Sequence, residues 1–521
     1  MVNPSPACSD FDLAIVGGGF AGSLLAQIAR RLGLRVILIE RGRHPRFTIG
    51  ESSTPVANLL LEQLAQRYDL PHLTPLCKWG TWQSTYPQLP CGLKRGFSFY
   101  HHEAGQAWAP DPLHRQELLV AASPSDTIAD THWYRPDFDA LLFTEAARLG
   151  VEVRDETELA PPDFRPGHVR LTGRRPGGPF ECTARLLIDA SGARGYLHRA
   201  LGLADVTPVE HRTTESVFTH FRGVPRWDRI HPPVGTPPFP PDDAALHHVF
   251  SDGWMWVLRF NHGITSAGYA RRPATPETGT GAERWERFLR RYPSIGEAFE
   301  GSEPIRPFTH LPQLPFRTSR CAGPRWAMLP VAAGFVDPLL STGFPLTLLG
   351  IERIARLLES EREPAFTDYG RATFADLDVT FDLMAALYRV MPDFETFREL
   401  TMLYFAAAIY SETARRLDRA SMAPGFLLRE HADFGPGLRR CLAQAGHQPG
   451  PVVREAIRTL VEPFNLGGLC RTEKHHWYGC EASDLYEAAP RIGASREEIT
   501  AMLRRTGFDG TRCPPSRAGA S

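Results

Sequence analysis

The sequence predicts an α/β fold in which a Rossmann-like nucleotide-binding domain is interleaved with an antiparallel β-sheet layer and followed by a helical C-terminal region. Three observations support this prediction. A Gly-rich turn joins an apolar strand to a helix near the N-terminus, and residues 213–272 alternate as antiparallel strands do. After about residue 365 the apolar residues recur almost wholly at helical spacing.

The N-terminal unit has the pattern strand, turn, helix, strand. Residues 12–16 form a short apolar strand, residues 21–32 carry small and apolar residues at helical spacing, and residues 36–39 are typical of a buried parallel strand. Such a unit brings the N-terminus of the helix to the carboxyl end of the first strand, where phosphates bind.

The turn itself carries a dinucleotide fingerprint. Gly17, Gly19 and Gly22 stand in the pattern G-x-G-x-x-G directly after the strand. The first glycine allows a tight turn, the second lets the backbone approach a pyrophosphate, and the third lets helix and strand pack closely. Glu40 ends the second strand, where a carboxylate can bind ribose hydroxyls. The alternative is a Gly-rich turn with a purely structural role.

Two later segments indicate FAD as the nucleotide. Residues 187–192 (LIDASG) place Asp189 and Gly192 at the end of another strand, and residues 332–343 (AAGFVDPLLSTG) form a second Gly/Pro-rich turn that leads into a helix. Three nucleotide-facing segments so far apart in the chain suit a long cofactor with a flavin at one end.

Composition argues against several classes of partner. The formal net charge of -1 gives no indication of nucleic acid or an anionic membrane surface. The first ten residues lack a secretory signal pattern, and no apolar segment approaches the ~20 residues that span a bilayer. We therefore expect a cytoplasmic protein with reduced cysteines. No metal site is predicted, because a tight cysteine pair is missing from the cluster Cys470, His475, His476 and Cys480.

The length of 521 residues exceeds what one hydrophobic core usually supports, so we expect several units. We predict a cofactor-binding domain, an inserted β-rich substrate layer, a helical region and a flexible tail. The predicted cofactor-binding domain covers 1–365 (mainly 10–90, 135–205 and 320–365), and the substrate layer is inserted into it at about 91–134 and 206–319. The predicted helical region covers 366–506, and the predicted tail covers 507–521.

Five segments carry a resemblance to a known family. They are 50–55 (GESSTP), 94–99 (KRGFSF), 253–258 (GWMWVL), 332–343 and 463–478 (PFNLGGLCRTEKHHWY). Together they make most of residues 10–480 resemble the flavin-dependent halogenases, which are related to tryptophan halogenases and belong to the FAD-dependent monooxygenases. The phenol- and pyrrole-directed members are the more similar ones. The resemblance implies a cofactor domain like that of p-hydroxybenzoate hydroxylase.

The sequence departs from the family pattern at three places. Leu258-Arg259 stand where the tryptophan-containing signature continues Ile-Pro, and Pro330-Val331 replace a Gly-Asp pair whose carboxylate contacts the ribityl chain of the flavin. Leu340 stands where members that act on free tryptophan carry a glutamate. A tryptophan substrate is therefore disfavoured, and a phenol, which stabilises positive charge through its own oxygen, is favoured.

The resemblance also implies a reaction. A separate flavin reductase supplies reduced FAD, which with oxygen and chloride or bromide yields hypohalous acid, and the halide lies near Thr342 and Gly343. The acid then reaches a chamber where Lys94 polarises it or carries the halogen to a small, electron-rich aromatic substrate, either free or tethered to a carrier protein. The alternatives are a solvated surface lysine at Lys94 and a helix-turn residue at Thr342.

Other residues receive roles from the same resemblance. Trp254 and Trp256 separate flavin from substrate, although alternate residues of a strand can also share a core face. His101 lies in a polar strand end or acts as a base. Arg135 contacts FAD or forms a salt bridge at a helix start. Further predicted FAD contacts are Ala21, Arg41, Glu51, Ser52 and Asp337.

Three functions stay open at this point. The first is an FAD-dependent halogenase with a phenolic or other electron-rich substrate. The second is an FAD-dependent monooxygenase that hydroxylates or epoxidises without halide, which the loss of Ile-Pro keeps in view. The third is an inactive flavin-binding protein, motivated by the missing carboxylate at Val331.

Overall fold

The computed structural model of the protein describes residues 10–275, 277–360 and 365–508. Most of the predicted tail 507–521 lies outside these residues. Gly507 ends the last described helix with φ 78°, and Phe508 packs partly against the core. The other predicted domain bounds stay a prediction.

One sheet contains the fingerprint unit and has nine strands among the described residues. Five are parallel, and four antiparallel strands extend the sheet. The parallel strands lie in the spatial order Trp326–Met328, Gly178–Asp189, Phe11–Val16, Val36–Ile39 and Glu152–Arg154; the others are Ala322–Gly323, Glu158–Leu159, Asp163–Arg165 and His168–Arg175.

The register of this nucleotide-binding sheet brings the predicted cofactor segments together. Val16 lies opposite both Asp189 and Ile39. The fingerprint turn, the acidic residue Glu40 and the turn after Asp189 therefore emerge at the same edge, because parallel strands end on the same side of a sheet.

The second sheet forms the predicted β-rich layer, and it also has nine described strands. In spatial order they are Glu303–Pro304, Glu215–Arg222, Ile264–Arg271, Gly253–Arg259, Ala245–Phe250, Gly96–His101, Glu117–Ala121 and Trp477–Tyr478, with Thr309–Leu311 also on Glu215–Arg222.

The antiparallel prediction is confirmed for most of this sheet, with two parallel exceptions. Ala245–Phe250 runs parallel to Gly96–His101, and Trp477–Tyr478 runs parallel to Glu117–Ala121. Each exception joins strands that are distant in the chain, and long connections of this kind permit parallel pairing. The short strand Trp477–Tyr478 covers what would otherwise be an open sheet edge.

The described residues also form two small antiparallel sheets of two strands each. Phe316–Arg317 pairs with Gly334–Phe335, which lies at the start of the second Gly/Pro-rich turn. Cys91–Lys94 pairs with Asp130–Trp133, and its register places Lys94 opposite Asp130.

Helices fill the space around the sheets. Thr54 begins the helix that follows the GESSTP segment: its side chain accepts the Ala57 N–H, and Pro55 occupies the first turn. No helix of the described part of the chain is both long and apolar enough to cross a membrane. The α-helices are Phe20–Arg31, Pro55–Arg67, Trp79–Thr85, Arg135–Arg148, Tyr196–Ala200, Trp227–Ile230, Gly281–Arg291, Pro293–Phe299, Pro330–Ala333, Gly343–Ser360, Thr367–Val390, Phe394–Arg416, Phe434–His447, Pro451–Val461, Ala482–Ala488 and Arg496–Thr506.

The helical C-terminal region packs on one face of the second sheet. Along the strand Gly96–His101, the ring of Phe97 contacts Phe405 edge-on with centroids 5.2 Å apart, and Phe99 contacts Phe397 at 6.0 Å. Both partners belong to the helix Phe394–Arg416. This helix therefore closes the space above the strand that follows Lys94.

We expect Gly22→Ala to destabilise the protein, because an ideal Cβ at Gly22 would lie 1.9 Å from the Gly17 carbonyl oxygen. Separating helix and strand to relieve such a clash should lower the free energy of unfolding by about 1–3 kcal/mol. Denaturant unfolding measures this, and the exposed end of the same helix offers Arg31→Ala as a control with a change below about 0.5 kcal/mol. Equal stability of the two variants would contradict the close packing.

Candidate functional site

The fingerprint turn has the geometry that a pyrophosphate requires. Gly17 adopts φ 108°, a conformation that favours glycine, and its N–H donates to the Ile39 carbonyl at 2.8 Å. Gly19 is the N-cap of the helix Phe20–Arg31 and provides no side-chain cap. The first N–H groups of this helix, among them that of Ala21, are therefore available to an anion.

Glu40 is buried and holds the turn together. Its carboxylate accepts the N–H groups of Gly18 at 2.7 Å and Gly42 at 2.8 Å, and the Arg46 guanidinium at 3.0 Å. Burial opposes ionisation of Glu40, but Arg46 and the two backbone N–H groups outweigh it and hold its pKa below the ordinary value. Glu40 is thus charged at the cofactor edge.

A cavity of about 600 Å³ opens at the carboxyl edge of the parallel strands. This volume lies within the range of small-molecule and cofactor sites, which is about 300–1,000 Å³. It has cationic side chains for phosphates and a carboxylate for ribose, so the residues present fit a dinucleotide. The lining includes Gly17, Glu40, Arg41, Ser191, Tyr196 and Arg199.

Asp189 shapes the neighbouring turn rather than offering a free carboxylate. It is fully buried and accepts the N–H groups of Ser191 at 2.8 Å and Leu197 at 2.6 Å, together with the Ser191 hydroxyl at 2.5 Å. Gly192 follows with φ 85° and open space around its Cα. A cofactor contact of these two residues stays a prediction.

Arg135 forms the helix-start salt bridge that the sequence left as an alternative. Its guanidinium binds both carboxylate oxygens of Asp139, at 2.7 and 2.9 Å, and donates to the Gly50 carbonyl at 2.8 Å. An ideal Cβ at Gly19 would lie 3.7 Å from this guanidinium. Arg135 therefore lies beside the fingerprint as well as in the salt bridge.

Glu51 leaves one carboxylate oxygen without a partner in the described structure. Its Oε1 lies 2.8 Å from Nε2 of His220, a residue of the second sheet, while Oε2 is buried and unpartnered. The GESSTP segment is thereby fastened to the second sheet and to the small sheet that contains Lys94, since the Trp133 N–H donates to the Glu51 carbonyl.

Lys94 is fully buried, which excludes the alternative of a solvated surface lysine. Its ammonium donates to the Ser52 hydroxyl at 2.8 Å, the Ser53 carbonyl at 2.5 Å and the Ser341 hydroxyl at 3.4 Å. It also lies 3.9 Å from the centroid of the Phe97 ring. Lys94 thus joins the GESSTP segment to the residue before Thr342.

Burial controls the electrostatics around Lys94. Removal from water lowers the pKa of Lys94 below its ordinary value, and Asp130, which lies opposite in the small sheet, opposes this effect. Burial raises the pKa of Asp130, with Lys94 acting in the other direction. Burial and the nearby Lys94 charge together lower the pKa of His247 to about 3 and hold the pKa of His132 well below its ordinary range.

The Gly/Pro-rich turn is held by Asp337. This buried carboxylate accepts the Trp254 indole N–H at 3.1 Å, the Leu339 N–H at 3.0 Å and the Tyr388 hydroxyl at 2.8 Å. Burial raises the pKa of Asp337 to about 6 in spite of these donors. The turn therefore takes support from the second sheet and from a C-terminal helix.

The predicted halide residues follow at a strained position. Ser341 adopts φ 53°, which a non-glycine residue visits rarely and which is typical of functional sites. Thr342 is buried, and Gly343 begins the helix Gly343–Ser360 with no atom within 4 Å of an added Cβ. The helix start, with its partial positive charge, offers an environment for an anion.

Trp254 and Trp256 share a core position, which is one of the two interpretations that the sequence left open. Both rings are buried and lie 5.7 Å apart, so they are core residues. Trp254 also binds Asp337 of the predicted flavin loop, and Gly268 leaves room for Trp256, because an ideal Cβ there would lie 2.5 Å from its ring. A separating role between flavin and substrate stays a prediction.

His101 stacks on Phe394 with ring centroids 5.0 Å apart. His101 lies on the same strand face as Phe97, whose ring touches the Lys94 ammonium. The four residues from Phe97 to His101 span about 13 Å along the strand. The structure therefore does not bring His101 to the Lys94 ammonium.

The departures from the family pattern have structural explanations. Arg259 binds Asp242 at 2.6 Å and the carbonyls of Val224 and Pro225, so it holds both of these segments at the end of its strand. Leu340 is fully buried in the core. The pair 330–331 begins a short helix, with proline at the first position, where its missing N–H costs nothing.

Sequence reasoning missed four residues of the site: Asn58, Asp130, His247 and Tyr388. His247 stacks on Phe99 with ring centroids 4.5 Å apart and contacts the tilted ring of Trp254 at 5.4 Å. None of the four belongs to a spaced motif. Asp130 and His132 stand two residues apart on a strand whose four residues are all buried, and this period of two is the signal that could have indicated a pair on one face.

Similar sequences identify the family. The domain family described as NAD(P)-binding Rossmann-like matches residues 15–66. The chain is 31% identical over 459 residues to monodechloroaminopyrrolnitrin halogenase PrnC of Pseudomonas fluorescens, with 84% of this chain and 79% of that protein covered. The chain belongs to the flavin-dependent halogenase family.

A second relative and a solved structure agree with this assignment. Tetracycline 7-halogenase of Kitasatospora aureofaciens is 32% identical over 374 residues, which are 68% of this chain and 65% of that protein. The structure of halogenase PltM with phloroglucinol and FAD superposes with a TM-score of 0.80 over 89% of this chain and 99% of that one, at 24% identity. The predicted family, its fold class and an FAD-dependent enzyme are thereby confirmed.

We expect stability to fall at acidic pH through the buried histidines. Burial lowers the pKa of His247 and His248 to about 3, so the unfolded chain binds protons below pH 6.5 that the folded chain cannot accept. Between pH 7.5 and pH 5.5 each histidine should cost about 1 kcal/mol of unfolding free energy. Denaturant unfolding at both pH values measures the loss.

His248→Gln should reduce this pH-dependent loss by about 1 kcal/mol. The exposed His447 offers a matched control, because His447→Gln should leave the loss unchanged. An equal loss in the wild type and His248→Gln would show that His248 is not held neutral.

Proposed function

We propose that this flavin-dependent halogenase uses chloride or bromide to halogenate an electron-rich, phenolic-type ring through Lys94. The observation that carries the proposal is the position of the Lys94 ammonium, which is buried and bound by Ser52 and Ser341 between the cofactor domain and Thr342. Because burial of a charge is costly, a lysine enclosed at this junction favours a functional role over a purely structural one.

The cofactor is FAD, and the residues of the 600 Å³ cavity would hold its adenosine and phosphates. Arg41 and Arg199 lie there as cations, and Glu40 presents its carboxylate. When bound and reduced, FAD supplies the oxygen chemistry that converts halide into hypohalous acid. No nicotinamide site is evident in the sequence, so we expect a separate flavin reductase to supply the reduced form.

Lys94 acts as the donor to hypohalous acid in this proposal. Its lowered pKa means that its proton is held less firmly than that of an exposed lysine. The ammonium can donate a hydrogen bond to the oxygen of the acid and so make the halogen more electrophilic. Thr342 and Gly343, at a helix start, would hold the halide before that step.

Support for the substrate class comes from the chain and its relatives. Leu340 removes the carboxylate expected for a free tryptophan substrate, while phloroglucinol, a phenol, is named in the PltM structure. Another relative, from Pseudomonas fluorescens, is named for a pyrrole bound to a peptidyl-carrier protein and is 26% identical over 343 residues. A carrier-tethered ring is therefore an alternative form of the substrate.

We expect the purified protein with FAD, a flavin reductase, NADH and bromide to brominate members of a phenol panel, as mass spectrometry would show. Omitting bromide should abolish the brominated product, because the bromine atom in the product comes from the added bromide. Oxygen inserted into the ring without halide would instead indicate a monooxygenase, and retention of yellow FAD without any product would indicate an inactive flavin-binding protein.

Lys94→Met should reduce halogenation by about 100-fold or more, the usual scale for loss of a positioned proton donor. Its FAD absorbance should stay unchanged. Lys474→Met is the matched control, because Lys474 binds Asp484 at 2.7 Å in the C-terminal region. Full activity of Lys94→Met would refute the role given to Lys94.

A further inference from the structure

Two buried oxygen atoms near Lys94 lack a hydrogen-bond donor in the described structure. Asn58 donates its amide to Oδ1 of Asp130 at 2.7 Å, which leaves Asn58 Oδ1 and Asp130 Oδ2 unpartnered. The two residues are only 4% and 6% exposed. Buried acceptors are nearly always paired in folded proteins, and an unpaired one is costly, so this pair points to a donor that is not part of the chain.

Both residues line a cavity of about 160 Å³. A cavity of about 150 Å³ is large enough for a single benzene ring. Three aromatic side chains that contact one another, Phe97, Tyr404 and Phe405, lie on its wall. The space therefore has the size and the lining for one small aromatic ring, with two acceptors at one place on its wall.

The same wall leads to Lys94. Phe97 borders the cavity and touches the Lys94 ammonium, and Asp130 is the cross-strand partner of Lys94. Lys94 itself does not line the cavity, but two residues next to it do, Phe97 against its ammonium and Asp130 opposite it in the small sheet.

We propose that Asn58 and Asp130 form the substrate subsite that receives an O–H or N–H group of the ring, and that Asp130 takes the proton that the ring loses. This inference rests on the proposed function, which supplies hypohalous acid. The carbon–halogen bond forms as the halogen–oxygen bond of the acid breaks. The departing hydroxide takes a proton from Lys94 and leaves as water, while the ring proton passes to Asp130 and returns through solvent to Lys94.

The charges around Asp130 are compatible with this role. Lys94 faces it from the paired strand, and Glu412 and Arg416 face it from the helix Phe394–Arg416. Glu412 is bound to Arg416 at 2.8 Å, whereas Asp130 keeps one buried oxygen without a partner in the described residues. Its raised pKa makes it a better proton acceptor than an exposed carboxylate.

A binding experiment without turnover tests the subsite. The full chain with oxidised FAD, but without halide or reductant, is titrated with resorcinol and with 1,3-dimethoxybenzene, whose ring is similar but has no O–H. We expect resorcinol to bind about tenfold or more tightly, because only it satisfies the acceptors. Equal affinity would overturn the proposal and would mean that the acceptors bind water only.

Asp130→Asn should reduce this preference to about twofold or less, since the charged acceptor is replaced by an amide. Asp126→Asn is the matched control: it carries the same change in the same segment, but Asp126 binds Arg95 and does not line the cavity. A preference unchanged in Asp130→Asn would also overturn the proposal. If that variant does not fold, the wild-type comparison of the two rings still decides.

Turnover separates this inference from the proposed function. If the wild type prefers resorcinol but makes no halogenated product, the reaction is wrong and the subsite stands. If the wild type halogenates and Asp130→Asn keeps full activity with an unchanged pH profile, the reaction stands and the proton-accepting role of Asp130 is wrong.

Discussion

The buried ammonium of Lys94 is the constraint on which the rest of the site depends. A charge removed from water must be compensated by several partners. Here these partners are Ser52, Ser53 and Ser341, which belong to segments far apart in the chain. The GESSTP segment, the small sheet and the Gly/Pro-rich turn must therefore all be in place before the lysine can be buried.

The same charge explains why its neighbours are neutral or negative. Burial and Lys94 both favour the neutral form of His132 and His247, whereas they oppose each other at Asp130. One cation and one carboxylate are thus buried together, next to the aromatic rings of Phe97 and Tyr404. In such surroundings a charge interacts more strongly with a polarised reactant than it would in water.

Local sequence patterns predicted the nucleotide-binding turn at the edge of the parallel strands, but they did not predict the residues around Lys94. Gly17, Gly19 and Gly22 act within one turn, so their spacing alone specifies their geometry. Asp130 reaches Lys94 through a strand register, and Asn58 reaches Asp130 from a separate helix. Neither contact leaves a periodic pattern in the sequence. The two parallel strand pairs of the second sheet were not predicted for the same reason.

The C-terminal helices contribute to two parts of the site, the turn before Thr342 and the cavity that Phe97 and Asp130 line. Tyr388 donates to Asp337 and so supports the turn before Thr342, while Tyr404 and Phe405 wall the cavity beside Lys94. The acidic group that tryptophan-directed members place before Ser-Thr-Gly is replaced by the buried Leu340. Our proposal moves the proton acceptor to Asp130, on another element. A ring would then be oriented by its own O–H or N–H donor rather than by a carboxylate of the turn.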